Sequence, residues 1–171
     1  MIKKYVITGG PSSGKTVTLK YLEKEGYHIV PEAARIIIEE QKKINGTLVP
    51  WIRPYDFQIA LFNKQIELES ATDKIAFTDR GIIDNIGYCK YYKISVPDEI
   101  KKASKIKRYE KIFFLEQLGS YVKDNVRKEN SKDAKKISNF IKEAYFEFGY
   151  KPIFLPAVSV EERAEIIRLH L

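Results

Sequence analysis

The chain has 171 residues, of which 44% are hydrophobic and 31% are charged, a balance typical of one folded domain spanning residues 1–171. The net charge of +7 could indicate nucleic-acid binding, but lysines are interspersed with acidic residues along the predicted helices, so we expect solvated faces and no nucleic-acid partner. A single cysteine excludes an internal disulfide framework, and no apolar stretch approaches the length of a membrane span, so we predict a cytoplasmic protein without membrane insertion.

The first predicted strand, an apolar β-branched run at 5–7, leads into a complete phosphate-binding motif, G-x-x-x-x-G-K-S/T. The motif consists of Gly9, Gly10, Pro11, Ser12, Ser13, Gly14, Lys15 and Thr16. A helix is predicted to follow it, with Leu19 and Leu22 at helical spacing and Gly26 placed to end it. The motif therefore lies between a strand and a helix, as phosphate binding requires.

Each part of this motif has a role in binding a nucleoside triphosphate. Glycines let the backbone fold closely around an anion, so that N–H groups up to that of Val17 and the positive end of the helix dipole point at the phosphates. Lys15 adds a positive charge for the β and γ phosphates, and Thr16 offers a hydroxyl to Mg²⁺. The sequence therefore predicts that the cofactor is Mg²⁺ with ATP or GTP.

The remainder of the chain alternates between strand and helix patterns without a break in composition. Further strands are predicted at 28–30, 75–78, 111–115 and 153–155. Helices are predicted at 32–44, near 57–68, at 82–92, from 97, at 134–148 and after a capping box formed by Ser159 and Glu162. This alternation indicates an α/β fold with a mainly parallel sheet covered by helices on both faces.

Two charged residues, Asp79 and Arg80, follow the third predicted strand, where ligands of open α/β sheets bind. Phosphoryl transfer needs a carboxylate near Mg²⁺, and Asp79 is the candidate for it, although it could instead cap the next helix. Arg80 could bind the phosphoryl acceptor or a phosphate, or it could pair with Asp84 one helical turn later.

A second carboxylate, Glu32, follows the second predicted strand, with Arg35 one turn beyond it. At that strand end Glu32 could accept a proton from an acceptor hydroxyl, and Arg35 could hold a polar or anionic part of the acceptor. The alternative is an ordinary helix start, with Pro31 near its first position and Glu32 in its first turn.

A polar, charged segment at about 117–131 separates the fourth strand from the next helix. Its Lys123, Arg127 and Lys128 could close over the triphosphate as a lid, where Arg127 would meet the charge of the transferring phosphoryl group. An exposed charged loop of ordinary kind is the alternative.

Five segments of the chain resemble a known family of small P-loop domains. They lie at 6–16, 30–35, 79–81, 124–127 and 160–163, and together they extend over nearly the whole chain. The family is the AAA-type NTPase domain shared with ribosylnicotinamide kinases, within the nucleoside- and nucleotide-kinase group. The resemblance implies a three-layer P-loop NTPase fold, with a five-stranded parallel sheet in the order 2-3-1-4-5 and an arginine-bearing lid between the fourth and fifth strands. It also implies nucleotide on the P-loop and an acceptor between the second and third strands.

The chain is also similar to deoxynucleoside kinases. That group places a glutamine on the corresponding helix to read the acceptor base, a tryptophan just before it, and an acidic–arginine pair after the third strand. Trp51, Gln58 and the Asp79–Arg80 pair occur here in that order. This chain departs from the pattern at Asp79 and Gly81, because Asp-Arg-Gly stands where that group has Glu-Arg-Ser. Trp51 could also be no more than a hydrophobic cover over the core.

These observations predict a P-loop phosphotransferase, most simply a kinase for a small nucleoside- or riboside-like molecule. The rival interpretation is a regulatory nucleotide-binding switch with a macromolecular or lipid partner. The feature that separates them is whether Glu32, Arg35, Gln58 and Arg80 converge on one pocket.

Overall fold

A computed structural model describes residues 3–117 and 131–171, and it contains one five-stranded parallel sheet. Its strands are β1 (Lys4–Gly9), β2 (His28–Val30), β3 (Ala76–Asp79), β4 (Lys111–Leu115) and β5 (Ile153–Leu155). They are ordered β2-β3-β1-β4-β5. The α/β fold and the strand order that the sequence and the resemblance predicted are therefore confirmed.

Helices lie on both faces of this sheet. They are α1 (Lys15–Lys24), α2 (Ala33–Lys43), α3 (Pro54–Ser70), α4 (Asp84–Tyr92), α5 (Asp98–Ser104), α6 (Ser131–Glu147) and α7 (Val160–Leu169). Of the helices in the described ranges, none is long and apolar enough to cross a membrane.

Side chains that alternate along the central strand β1 separate two apolar clusters. Val6 belongs to the cluster with α4, α5 and α6, whereas Tyr5 and Ile7 belong to the cluster with α1 and α7. A third, smaller cluster joins α2 to α3 through Ile37 and Phe57. The central sheet is thus buried on both faces, which explains why its strands read as nearly continuous apolar runs.

Local signals in the sequence end and begin the helices where expected. Gly26 and Gly149 follow α1 and α6 with φ angles of 93° and 76°, in the left-handed region that favours glycine. Ser159 and Glu162 form the predicted capping box, in which the Glu162 amide donates to Ser159 Oγ and the Ser159 amide to Glu162 Oε2. Three helix starts were predicted one or two residues early, since α2 begins at Ala33, α4 at Asp84 and α5 at Asp98.

Close packing of α4 on α6 depends on the absence of a side chain at Gly87. A Cβ atom there would lie 2.7 Å from both the amide nitrogen and Cγ1 of Ile141. Because a backbone atom cannot move aside as a flexible side chain can, the two helices would have to separate.

We therefore expect Gly87→Ala to reduce the free energy of unfolding by about 1–3 kcal/mol, despite the higher helix propensity of alanine. Denaturant unfolding followed by circular dichroism measures this change. Glu143→Ala, at an exposed position of α6, is the matched control and should change stability by less than about 0.5 kcal/mol. Equal stabilities for the two variants would contradict the packing argument.

Candidate active site

The loop between β1 and α1 bends sharply through residues with left-handed backbone conformations. Gly9, Ser12 and Gly14 have φ angles of 138°, 60° and 90°. At Gly9 a Cβ atom would lie 2.5 Å from the carbonyl oxygen of Leu115, so no larger residue fits there. The glycines of the motif are thus required by the path of the backbone.

Lys15 is buried at the start of α1, and its ammonium group lies inside the loop. Its Nζ donates to the carbonyl oxygen of Gly10 at 2.8 Å and, at 3.3 Å, to the carbonyl oxygen of Gly9 and to Ser13 Oγ. The positive charge and the amino end of α1 therefore face the same concave loop, an arrangement that favours anions.

Arg163 of α7 holds this loop from the other side. Its buried guanidinium donates to the carbonyl oxygens of Ser13 at 2.7 Å, Pro156 at 2.8 Å and Glu116 at 3.2 Å. It therefore ties the P-loop to the ends of β4 and β5. This role of Arg163 was not predicted, because no motif links a helix arginine to a loop so distant in the chain.

Asp79 ends β3, and Arg80 follows it with a φ angle of 71°, which is unusual for a residue with a Cβ atom. The Arg80 amide still donates to the carbonyl oxygen of Ile7, so the turn begins while the chain is paired with β1. The alternative that Asp79 caps the following helix is wrong, because Ile83 occupies the N-cap position of α4.

The buried Arg80 side chain joins three parts of the site. Its Nε donates to Glu32 Oε1 at 3.0 Å, and its Nη1 donates to the carbonyl oxygen of Gly9 at 3.1 Å and to Asp84 Oδ1 at 2.9 Å. The predicted pairing with Asp84 is confirmed, and Glu32 is a second partner. Burial alone would lower the pKa of Arg80, but the oxygens of Tyr88 and of the neighbouring carboxylates raise it on balance.

The Asp84 carboxylate accepts hydrogen bonds from several of these elements. Besides Arg80, it accepts hydrogen bonds from Thr8 Oγ1 at 2.6 Å, the Gly81 amide at 3.1 Å and Tyr145 Oη at 2.6 Å. Burial and the neighbouring Asp84 raise the pKa of Tyr145, so this phenol remains a donor. Asp84 therefore connects β1, the turn after β3 and helix α6.

Close packing around the turn after β3 explains why residue 81 is a glycine. A Cβ atom at this position would lie 2.9 Å from both the Tyr109 ring and Tyr145 Oη. Tyr109 also binds this turn directly, because its Oη accepts a hydrogen bond from the Ile82 amide at 2.9 Å. A serine here would have to displace two buried tyrosines, which gives a physical reason for glycine in place of serine at this position.

One pocket brings together most of the predicted acceptor residues. Four of the five line it, namely Glu32, Trp51, Gln58 and Arg80, together with Asp79, which was predicted for the metal. Trp51 also packs on the α2–α3 cluster, so its two interpretations are compatible. Arg35 does not line this pocket.

Arg35 lies instead in a neighbouring groove beside α1. Thr16, Glu32 and Asp79 also line this groove. The two cavities thus share Glu32 and Asp79, and the groove leads from them to the start of α1 just after the P-loop.

Buried polar atoms of the pocket that have no hydrogen-bond partner in the described part of the chain include Gln58 Oε1, Arg80 Nη2 and Asn85 Nδ2. Buried polar groups in folded proteins nearly always have a partner, so unsatisfied atoms around one pocket indicate a ligand site. Asn85 was not predicted as a site residue, because a single amide within a helix does not form a recognisable sequence motif.

The donors present suit a magnesium ion held partly by phosphates. No cluster of three or more His, Cys, Asp or Glu side chains able to hold a metal occurs within residues 3–117 and 131–171. A P-loop needs no such cluster, since a hydroxyl, a carboxylate, phosphate oxygens and water suffice. Thr16 and Asp79, the residues predicted for the metal, line the same groove.

The predicted lid residues Lys123, Arg127 and Lys128 lie outside the described residues, so their role stays a prediction.

Comparison with known proteins agrees with this fold. A family model described as an AAA domain matches residues 4–163. No curated protein matches the chain in sequence.

Solved structures with this fold include three proteins of different kinds. NadR protein in complex with NR has a TM-score of 0.68 and 20% identity over 99% of this chain, which spans only about half of NadR, 51% of its length. Deoxyadenosine kinase from M. mycoides has a TM-score of 0.67 and 15% identity, with 98% of this chain and 97% of that one covered. Shikimate kinase from Acinetobacter baumannii, in complex with shikimate, has a TM-score of 0.60 and 18% identity, with coverages of 99% and 93%. At these identities the likeness establishes the fold.

The contacts of Arg163 lead to a prediction about the P-loop. Arg163→Met leaves the carbonyl oxygen of Ser13 without its buried donor, so we expect a loss of about 2–4 kcal/mol in unfolding free energy and roughly tenfold weaker Mg-ATP binding. Denaturant unfolding and calorimetric titration measure the two effects. Arg168→Met is the matched control, because Arg168 on the same helix pairs with Glu25 at the surface and should contribute under about 1 kcal/mol. Similar losses in both variants would show that Arg163 has no special role.

Proposed function

We propose that this chain, which belongs to the AAA domain family, transfers a phosphoryl group from Mg²⁺-bound ATP or GTP to a hydroxyl of a small nucleoside- or riboside-like molecule. The observation that carries this proposal is the pocket lined by Glu32, Gln58 and Arg80, which shares two carboxylates with the groove beside the P-loop. A kinase needs an acceptor site that opens toward the nucleotide in this way.

On the nucleotide side, the loop residues 9–17 would bind the phosphates through backbone N–H groups. Lys15 would exchange its contacts with the loop oxygens for the β and γ phosphates. Thr16 and Asp79 would hold the Mg²⁺ ion, which neutralises charge on those phosphates.

On the acceptor side, Glu32 would take the proton of the attacking hydroxyl. The acceptor oxygen forms a bond to the γ phosphorus, and the bond from that phosphorus to the bridging oxygen of the nucleoside diphosphate breaks. The hydrogen bond from Arg80 Nε fixes the orientation of Glu32. Arg80 Nη2, which has no partner among the described groups, remains to bind the acceptor or the phosphoryl group.

Phosphorus NMR tests the reaction directly. The protein is mixed with Mg-ATP or Mg-GTP and a pool of nucleosides, ribosides and sugar-like alcohols, and we expect a new phosphomonoester signal. Lys15→Ala should abolish it, whereas Lys24→Ala, at the exposed end of α1, should leave it unchanged. Release of free phosphate at a rate that no pool member alters would instead support the regulatory switch.

The two shared carboxylates should differ in their effects when neutralised. Asp79→Asn should raise the Mg²⁺ concentration needed for activity, because an amide is a poorer partner for a hard cation. Glu32→Gln should lower kcat by about 10²–10⁴-fold with little change in nucleotide affinity, because it acts on the acceptor. Steady-state kinetics at several Mg²⁺ concentrations, with calorimetry for the nucleotide, separate these effects. If both variants lose only nucleotide affinity, the assigned division of roles is wrong.

A further inference from the structure

We propose that a second cavity, at the amino ends of the strands, binds a phosphate group in its dianionic form. The cavity has a volume of about 370 Å³. Its lining differs entirely from that of the acceptor pocket and of the groove beside α1. The proposal therefore does not rest on the proposed function. The lining residues that carry charge or a hydroxyl are Lys4, Glu69, Ser70, Thr72, Lys107 and Arg108.

This cavity lies at the opposite edge of the sheet from the P-loop. Lys4 is the first residue of β1, and Arg108 precedes β4, which begins at Lys111. Because the strands are parallel, their amino ends meet at one edge, whereas Gly9 and Asp79 end their strands at the other. Strand β1 has six residues, so the two edges are on the order of 15 Å apart. A phosphate group bound here would be separate from the one being transferred.

Positive charge is in excess around the cavity. Three cations line it, those of Lys4, Lys107 and Arg108, together with the single carboxylate of Glu69. Two positive charges thus lack a compensating carboxylate among the described residues of the lining. This excess matches the charge of a phosphate dianion.

Glu69 holds two of these cations in place from the interior. Its carboxylate is fully buried, and Oε2 lies 3.8 Å from Lys4 Nζ and 3.5 Å from Arg108 Nη2. Oε1 accepts hydrogen bonds from Tyr109 Oη at 2.7 Å and from Gln65 Nε2 at 3.0 Å. Since both ion pairs are longer than a strong hydrogen bond, Lys4 and Arg108 keep donors for a ligand. Their side chains are only 17% and 23% exposed, so less freedom is lost when a ligand binds.

The guanidinium of Arg108 suits a phosphate group in particular. Its Nε is buried and has no hydrogen-bond partner within residues 3–117 and 131–171. Buried donors of this kind nearly always have an acceptor, and rotation of the side chain toward a ligand would supply one. A planar fork of N–H groups fits two oxygens of one phosphate group. Ser70 and Thr72 add hydroxyls that can donate to the remaining oxygens.

An NMR titration of the full chain, labelled with ¹⁵N, tests this site. Inorganic phosphate is added to nucleotide-free protein at about pH 7.5 and about 0.15 M NaCl, where salt screens the general attraction to surface lysines. The signals to follow are the backbone amides of 70–72 and 106–108 and the Nε–H of Arg108. We expect them to shift to saturation. Acetate, with one charge and two oxygens, should bind at least about tenfold more weakly.

The P-loop also attracts phosphate, so the titration is repeated with Lys15→Ala. Backbone amides within 10–17 report on the P-loop and should respond much less in this variant than in the wild-type protein. The cavity signals should respond equally in both proteins. A cavity that responds beside a P-loop that never does would contradict the proposed nucleotide site and support the second site.

Matched substitutions distinguish a defined site from a lysine-rich surface. Lys107→Gln removes a charge from the lining, whereas Lys105→Gln removes the same charge at an exposed position outside it. Phosphate affinity at the cavity should fall about three- to tenfold in Lys107→Gln and less than about twofold in Lys105→Gln. Arg108→Lys keeps the charge but loses the planar fork, so it should also weaken phosphate about three- to tenfold. Because Lys107 is exposed, its substitution should leave the fold intact.

Three results would each overturn the proposal. They are cavity signals that do not move with phosphate, acetate binding as tight as that of phosphate, and equal weakening by Lys105→Gln and Lys107→Gln. Glycerol phosphate then identifies the source of the phosphate group. Tighter binding than that of inorganic phosphate would indicate a phosphorylated small molecule, and binding that is no tighter would indicate the free ion.

Discussion

The burial of one guanidinium group constrains the whole site. Arg80 is almost fully removed from water, and such a charge is tolerated only with several hydrogen-bonded partners. Its partners are Glu32 after β2, Asp84 at the start of α4 and the carbonyl oxygen of Gly9 at the end of β1. Because the buried charge of Arg80 needs all of these partners, Arg80 holds the candidate base, the turn after β3 and the beginning of the P-loop at fixed relative positions.

The left-handed backbone of Arg80 and the hydrogen bonds of Asp84 support each other. A φ angle of 71° is unfavourable for arginine, and it persists where the surroundings fix the conformation. Asp84 fixes this backbone conformation by accepting hydrogen bonds from the Arg80 side chain, the Gly81 amide, Thr8 and Tyr145. Since Tyr145 belongs to α6, a change in the position of α6 would act on the same carboxylate that orients Arg80. The P-loop and the acceptor pocket are therefore mechanically connected through buried polar groups.

Local signals allowed most of the fold to be predicted, and long-range contacts explain what was missed. The apolar runs of the strands, Gly26 and the capping box at Ser159 act over a few residues, so each can be recognised in the sequence. The roles of Arg163 and Asn85 depend on which distant groups surround them. Arg163, for instance, contacts Ser13 across 150 positions of the chain. In the sequence, such residues only interrupt an apolar pattern. In the folded chain, they hold a loop or line a pocket.

In the proposed mechanism, different residues carry out phosphoryl transfer and select the acceptor. In the proposed mechanism, phosphoryl transfer takes place where the groove and the pocket meet, at Glu32 and Asp79. Gln58 and Asn85 lie on α3 and α4, whereas the P-loop is held by β1, α1 and Arg163. Substitutions on α3 and α4 can therefore alter which molecule is bound while the phosphate-binding loop keeps its geometry. A fold organised in this way can serve different acceptors, so the acceptor must be identified from the pocket side chains and not from the fold.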